Sequence, residues 1–280
     1  MLMPIQSFEE LTAHLKKQGV RKRVAVVCPD DDSTRQALAT AEREGIATPL
    51  LFQASDPAEA ASQAVAAVRR GEADVLMKGF VNTDVLLHAS LNKETGLLRK
   101  GRVMTHIAVA QMPGYHKLLL FTDAAVIPYP THEQRVAQVA YVAQFCHRMG
   151  IEEPRLSLIH CSEKVDAKHF PYTAGYGQIK EMAAQGAFGP CIVDGPLDLK
   201  TSCSPHSMAV KHITSPIAGD ADALIFPDIE AGNLFYKTIT LFCQARTAGV
   251  LQGTDVPVVL PSRGDSAEAK YLSLCLACLL

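Results

Sequence analysis

"RVAVVCPDDDSTRQALATAEREGIATPLLFQASDPAEAASQAVAAVRRGEADVLM", residues 23–77, is the stretch whose reading decides the fold. Its opening run, RVAVVC, is apolar enough for a strand buried on both faces. Ser33 then offers an N-cap, TRQALATAERE carries helical spacing, and Gly45 closes the helix. PLLFQ from Pro49 is strand-like again, PAEAASQAVAAVRR is helical with Gly71 as its stop, and ADVLM from Ala73 makes a third strand. Strands separated by helices of this length call for parallel pairing, because a parallel neighbour is reached only through a crossover that covers a sheet face.

The same rhythm continues outward. NTDVLLHASLNK is a short helix capped by Asn82 or Thr83, and RVMTHIAVA and KLLLFTD are successive strands that suggest a hairpin. After Thr131 comes a long helix whose Val136, Val139, Tyr141, Val142, Phe145 and Met149 form a wide apolar face ending at Gly150. RLSLIH, CIVDG, ADALIFP and VPVVL follow as strands, separated by helical GQIKEMAAQG, residues 205–212 and AGNLFYKTITLFCQA, with a last helix after VPVVL. The expected fold class is α/β, with two α/β/α lobes and largely parallel sheets. Residues 150–154 are the expected hinge, giving a first lobe over 1–150 and a second over 151–252, with about 253–280 returning to complete the first.

Composition narrows the function. The chain of 280 residues is 48% hydrophobic and 20% charged, an ordinary globular balance. Lys plus Arg number 27 against 29 Asp plus Glu, so the net charge of −2 creates no field that would gather nucleic acid or an anionic membrane surface. An anionic ligand must therefore be held by a local pocket. No apolar run approaches the roughly 18 residues of a span, and residues 1–11 are too polar and too poor in basic residues for a targeting signal. The cytoplasm is the expected compartment. The eight cysteines are scattered and read as reduced thiols. Cys275 and Cys278 have zinc or redox spacing, but they sit in apolar YLSLCLACLL with no second pair, which favours core packing.

In open parallel sheets, ligands bind beyond the carboxyl ends of the strands. Lys78-Gly79 follows ADVLM and leads into a helix start whose free N–H groups suit an anion, though it could be a solvated turn. His106 lies in an apolar strand and reads equally as a core histidine. Asp194-Gly195-Pro196 is common turn chemistry, Asp220 and Asp222 could cap or pair, and Lys211-His212 suits a helix end. PDIEAGN opens a helix carrying Tyr236 and Lys237. Ser262-Arg263-Gly264-Asp265 after VVLP is harder to assign to structure alone: Arg presents a flat fork matched to phosphate or carboxylate, Ser a small donor, and Gly room for close approach. The remaining histidines lack metal spacing, and neither a Walker loop nor G-x-G-x-x-G occurs.

DVLMKGFVNTDVLL, KLLLFTDAAVIPYPT, VDGPLDL, SPIAGDADALIFPDIEAGNLFYK and VPVVLPSRGDSAEAK, in this order, resemble the phosphate acetyl/butyryltransferase family, particularly its phosphate butyryltransferase branch. The resemblance runs from about residue 73 to the end. It implies interconversion of acyl-CoA plus inorganic phosphate with acyl phosphate plus coenzyme A. It also implies two lobes flanking a cleft, as in the isocitrate and isopropylmalate dehydrogenases, and a homodimer. Coenzyme A and acyl-CoA would enter as substrates, with no bound cofactor and no metal. By the same resemblance Ser262 and Arg263 occupy the catalytic Ser-Arg pair. The Asp that the phosphotransacetylase branch is thought to use as base falls here on Ala269, so Asp265, ahead of Glu268, is the expected base. Lys78, Thr83, Thr105, His106, Asp222, Asn233 and Lys237 match blocks lining the cleft and are the expected contacts to phosphate, pantetheine or acyl group. Phe80, Met104 and Ile107 could border an acyl pocket.

With no base beside Ser262 to make it a nucleophile, direct transfer in a ternary complex is expected over an acyl-enzyme. Three other readings keep the fold. A decarboxylating dehydrogenase using NAD(P) and a divalent metal needs carboxylates such as Asp194, Asp198, Asp220, Asp222 and Asp228 to converge, and the sequence lacks the arginine cluster its hydroxy acid wants. A non-catalytic acyl-CoA-binding protein is suggested by Ala269. An acyl-carrier-protein:phosphate acyltransferase differs only in the thiol carrier.

Overall fold

The structure, a computed structural model, describes residues 3–280. Along the chain come α1 (Phe8–Gln18), β1 (Lys22–Val27), α2 (Asp32–Arg43), β2 (Ala47–Phe52), α3 (Pro57–Arg69), β3 (Val75–Lys78) and α4 (Thr83–Ser90). A central run follows: β4 (Thr105–Gln111), β5 (Leu119–Thr122), α5 (His132–Arg148), β6 (Arg155–Ile159), a 3-10 turn at Pro171–Gly175, α6 (Tyr176–Ala184) and β7 (Ile192–Leu197). It ends with α7 (Leu199–Cys203), α8 (Pro205–Val210), β8 (Ala223–Ile225) and α9 (Ile229–Phe242). The chain closes with β9 (Arg246–Gln252), β10 (Val258–Val259) and α10 (Ala267–Leu279).

These elements form two compact units. The terminal unit joins Ser7–Met104 to Arg246–Leu280, with strands in the order β2-β1-β3-β10-β9. All of its pairings are parallel except β9 with β10. The central unit holds Thr105–Ala245, with strands in the order β4-β5-β8-β6-β7; β4 and β5 form the expected hairpin and the rest pair in parallel.

The boundary falls before Thr105 rather than at residue 150. β5 is laddered to β8, Leu120 opposite Ala223 and Phe121 opposite Leu224, so the hairpin shares hydrogen bonds and core with the strands that follow Gly150. Gly150 (φ +81) only turns the end of α5 toward β6. At the other end the division falls at Arg246, because β9 pairs antiparallel with β10 and packs under α10. RTAGVLQ, with Gly and Ala inside it, carries too weak an alternation to be seen as a strand, and α1 likewise lies outside the elements expected from periodicity.

The N-cap of α2 is Asp31, not Ser33; its carboxylate accepts the Thr34 N–H at 2.8 Å and the Ser33 hydroxyl at 2.6 Å. In the terminal unit, α10 is buried through Leu272, Leu274, Cys275, Leu276 and Cys278, packed on α1, α2 and the sheet. Cys275 and Cys278 are free, apolar core groups, and burial pushes the Cys278 thiol up to about 12. The central core is built on Phe121, whose ring meets Phe226 and Phe235 edge-on at 6.1 and 5.1 Å. Among the described residues no helix is long and apolar enough to cross a membrane.

Candidate active site

β3 and β10 are parallel neighbours, Leu76 opposite Val258 and Met77 opposite Val259, so both chains leave the sheet at one edge. That edge receives Lys78 at the end of β3 and, past Leu260-Pro261, the Ser262-Arg263-Gly264-Asp265 loop before α10. Gly79 lets the chain turn there. A Cβ on it would stand 2.3 Å from the Cys28 carbonyl oxygen, while its N–H donates to Val27 O at 2.8 Å.

Lys78 is 2% exposed, and its ammonium donates to the carbonyls of Val81 (3.1 Å) and Gly79 (3.3 Å). It makes no ion pair among the described residues. Burial first, then the charges of Lys270 and Arg263, push its pKa below the ordinary lysine value. Arg263 is exposed; its guanidinium donates to Asn82 Oδ1 and lies 5.3 Å from the centre of the Phe80 ring, with no carboxylate partner among the described residues. Asn82 is the N-cap of α4 but its side chain makes no capping bond, being taken by the guanidinium, while its carbonyl accepts the Val85 N–H at 3.1 Å. Thr83, the first helical residue, is exposed. Across the loop, Asp265 Oδ2 accepts the Ser262 N–H at 2.7 Å, fixing the turn that carries the Ser262 hydroxyl.

Behind the loop, Lys270 is 2% exposed and donates to Asp31 Oδ1 at 2.7 Å and Thr34 Oγ at 3.0 Å. Burial alone would raise the Asp31 carboxyl, but hydrogen bonds from Lys270, Ser33 and Thr34 outweigh it and hold the group well below the usual carboxylate range. The edge thus gathers Lys78, Arg263 and Lys270 against Asp31 and Asp265, one positive charge in excess. Of the residues singled out from sequence, Lys78, Thr83, Ser262, Arg263 and Asp265 come together here. Asn82 was expected only as a helix cap, and Asp31 and Lys270 had no assigned role; a lone Lys in the apolar AEAKYLSLCLACLL was the one signal available for the last.

The central unit holds the others. Its focus is Asp123, 1% exposed at the end of β5, a residue the sequence reading left unmarked. Asp123 accepts from the Thr105 hydroxyl (2.7 Å), the His106 N–H (3.1 Å) and the N–H groups of Ala125 (2.7 Å) and Val126 (2.8 Å). Asn233 on α9 donates to Ala124 O at 2.9 Å, and Gly232 beside it gives α9 room, since a Cβ would stand 2.1 Å from Asp123 O. Thr105, His106 and Asn233 therefore cluster around the carboxyl end of β5. Lys237, further along α9, is exposed, with its ammonium 5.3 Å from the Tyr236 ring centre.

Asp222 does not join them. It precedes β8, at the opposite edge of the parallel strands, and its carboxylate is consumed by Lys117 (2.6 Å) and the Arg155 N–H (2.8 Å). Its neighbours are tied in the same way: Asp220 to Arg155 at 2.8 Å, Asp194 to Lys180 at 2.7 Å, Asp198 to Lys211 at 2.6 Å. Carboxylates each committed to a cation do not converge, and the described residues contain no group of three or more His, Cys, Asp or Glu placed to hold a metal ion.

Known proteins resemble this chain over most of its length. The family profile described as "Phosphate acetyl/butaryl transferase" matches residues 30–278. The phosphate butyryltransferase of Clostridium beijerinckii is 35% identical, with 98% of this chain and 98% of its own covered. The phosphate acetyltransferase of Thermotoga maritima is 34% identical, over 93% of this chain and 95% of its own. Among solved structures, a branched-chain phosphotransacylase from Enterococcus faecalis V583 superposes with a TM-score of 0.83 at 30% identity, covering 92% of this chain and 98% of its own. A putative 4-hydroxythreonine-4-phosphate dehydrogenase from Salmonella typhimurium, at a TM-score of 0.52 and 11% identity over 93% of this chain and 99% of its own, shares the fold alone, which is the dehydrogenase-like class expected. With a profile spanning most of its length and relatives of that identity over nearly all of it, the chain belongs to the phosphate acetyl/butyryltransferase family.

Proposed function

We propose that the protein transfers short acyl groups, butyryl or branched and also acetyl, between coenzyme A and inorganic phosphate. The observation that carries this is the Arg263 guanidinium, placed by the end of β10 without a carboxylate partner among the described residues and beside a buried Lys78 ammonium that only carbonyls satisfy. An excess positive charge of this kind is stabilised by an oxyanion, and the planar fork accepts a phosphate through two parallel hydrogen bonds.

In this reading Arg263 holds phosphate with Asn82 steadying the fork, and Lys78 supplies charge from below. A phosphate oxygen attacks the thioester carbonyl carbon, the carbonyl oxygen becomes negative, and the Ser262 hydroxyl donates to it. The carbon–sulfur bond then breaks and coenzyme A leaves as its thiolate, which takes up a proton. Phosphate fixed by Arg263 and Lys78 meets the thioester as an oriented reactant rather than by a free bimolecular encounter. In reverse, a base must take the coenzyme A thiol proton. Asp265, half-buried in the same loop, is assigned that role, since Ala269 carries no carboxylate. Thr83 at the start of α4 is assigned to the phosphate, and Thr105, His106, Asn233 and Lys237 to the acyl-CoA. Coenzyme A enters as substrate, no resident cofactor or metal takes part, and the working form is a cytoplasmic homodimer.

The test is thiol release from acetyl-, propionyl-, butyryl- and isobutyryl-CoA, each with and without phosphate. Phosphate-dependent release that peaks at four-carbon chains supports the reading. Sustained turnover that ignores phosphate, beyond a single equivalent of thiol per protein, or no release with any donor, overturns it.

A further inference from the structure

The central unit carries a nucleophile, a base and a group that orients the base, all apart from the residues assigned above. His160 follows the last residue of β6 and is 3% exposed. Its Nδ1 lies 2.8 Å from the Tyr172 hydroxyl, and its ring is packed edge-on against Phe170 (4.7 Å between centres) and Tyr172 (5.7 Å). The opposite nitrogen, Nε2, lies 3.7 Å from Cys161 Sγ, a hydrogen-bond distance for sulfur. Cys161 itself is exposed. With Nδ1–H donating to the Tyr172 oxygen, the Nε2 lone pair is left for the thiol proton.

The surroundings favour a base over an ion pair. Burial pushes the His160 pKa below its ordinary value, against the opposing pull of Asp166 and Glu163, so the ring is neutral near pH 7. Burial likewise raises Tyr172, to about 12, which keeps its hydroxyl protonated, and the Arg135 guanidinium lies 5.5 Å from its ring centre. A neutral imidazole fixed on both sides and touching an exposed thiol is the arrangement that activates a thiol for attack on acyl carbon. β6 is parallel to β8 and β8 to β5, so Cys161 stands at the carboxyl edge of this sheet, the edge that also carries Asp123.

We propose that Cys161 is an acyl-acceptor thiol, served by His160 as base and held by Tyr172, that takes an acyl group from an acyl-CoA thioester. The choice of donor rests on the function proposed above; the dyad does not. As Sγ bonds to the acyl carbon, the thiol proton passes to His160 Nε2. The donor's carbon–sulfur bond breaks, and His160 returns the proton to the departing coenzyme A thiolate. One thioester replaces another, with no change of oxidation state.

Cys243, also exposed and without an imidazole hydrogen bond among the described residues, is the internal control. Limiting iodoacetamide on the full-length protein, read by peptide mass spectrometry, is expected to label Cys161 about tenfold faster than Cys243. That preference falls at least severalfold in His160→Gln and in Tyr172→Phe, the second keeping the imidazole should the first fail to fold. Butyryl-CoA without phosphate is expected to leave a butyryl group on Cys161, absent in Cys161→Ser. Equal labelling of the two thiols overturns the dyad, and preferential alkylation without butyrylation overturns the acyl-acceptor role. Butyrylated Cys161 in a protein that shows no phosphate-dependent thiol release supports the dyad and sinks only the catalytic reading.

Discussion

Lys270 Nζ lies 2.7 Å from Asp31 Oδ1, tying α10 to the cap of α2 across 239 positions of sequence. Both partners are largely withdrawn from water, with side chains 2% and 19% exposed. Removing one leaves the other poorly compensated, which for a buried pair costs about 3 kcal/mol. Lys270→Ala is therefore expected to lower stability by roughly that amount, and Lys270→Met combined with Asp31→Asn by clearly less, measured by urea unfolding. The pH dependence has a fixed sign. The Asp31 carboxyl is held below its unfolded value of 3.8, so its stabilisation is complete above that pH and drains away as pH falls through the folded value. Stability of the native protein below pH 4 is expected to fall more steeply than that of Asp31→Asn, and parallel acid titrations would refute the pairing.

The contact between Arg263 and Asn82 makes the next expectation specific. Arg263→Lys keeps the charge and loses the fork, so the phosphate-dependent rate is expected to drop about 100-fold or more, the scale of losing a fixed donor to a developing oxyanion. Asn82→Ala removes only the partner that steadies the guanidinium and is expected to cost about tenfold, chiefly in KM for phosphate. Steady-state kinetics over a phosphate series separates the two. An Arg263→Lys enzyme with native kinetics would remove the basis of the assignment.

Lys78 is 2% exposed and, among the described residues, answered only by carbonyls, so its charge costs the fold something. Its folded pKa is depressed, so the penalty is full below that value and fades as pH rises toward 10.5. Lys78→Met, similar in length and uncharged, is expected to match or exceed native stability at neutral pH while raising KM for phosphate about tenfold. The native rate should also fall on the alkaline side below pH 10.5 as the ammonium deprotonates, and the Met variant should lack that limb. An unchanged phosphate KM would reduce Lys78 to a loop brace.

What could be read from sequence was what depends on local pattern. β1, β3, α3 and α5 announce themselves by apolar runs, helical spacing and glycine stops, and the strand-end rule located Lys78 and the Ser262–Asp265 loop without any contact being known. What escaped depends on pairing between distant segments. β9, with Gly and Ala inside it, is a strand because β10 pairs with it antiparallel, and the unit boundary follows from β5 choosing β8, a choice no window of sequence contains. Asp222 matched by motif yet is spent on Lys117, whereas Asp123, inside a matching block but not singled out, gathers donors from β4 and the loop that follows β5. A motif fixes residue type; only the fold decides which edge of the sheet a carboxylate occupies.

Asp265 provides the sharpest test of mechanism. Its Oδ2 is engaged by the Ser262 N–H at 2.7 Å, and Asn at this position keeps an acceptor for that bond while losing the base. Asp265→Asn should therefore preserve the loop and the melting temperature. In the direction that consumes acyl phosphate, where the coenzyme A thiol must give up its proton, the rate at neutral pH is expected to fall by about 10²–10⁴, the usual contribution of a positioned base. Ala269→Asp, set in the first turn of α10, is expected to restore part of the lost rate in the Asp265→Asn background by returning a carboxylate to the same end of the helix. If Asp265→Asn leaves that rate untouched and only lowers the melting temperature, Asp265 is a clasp for the Ser262 turn, and the proton goes to phosphate instead.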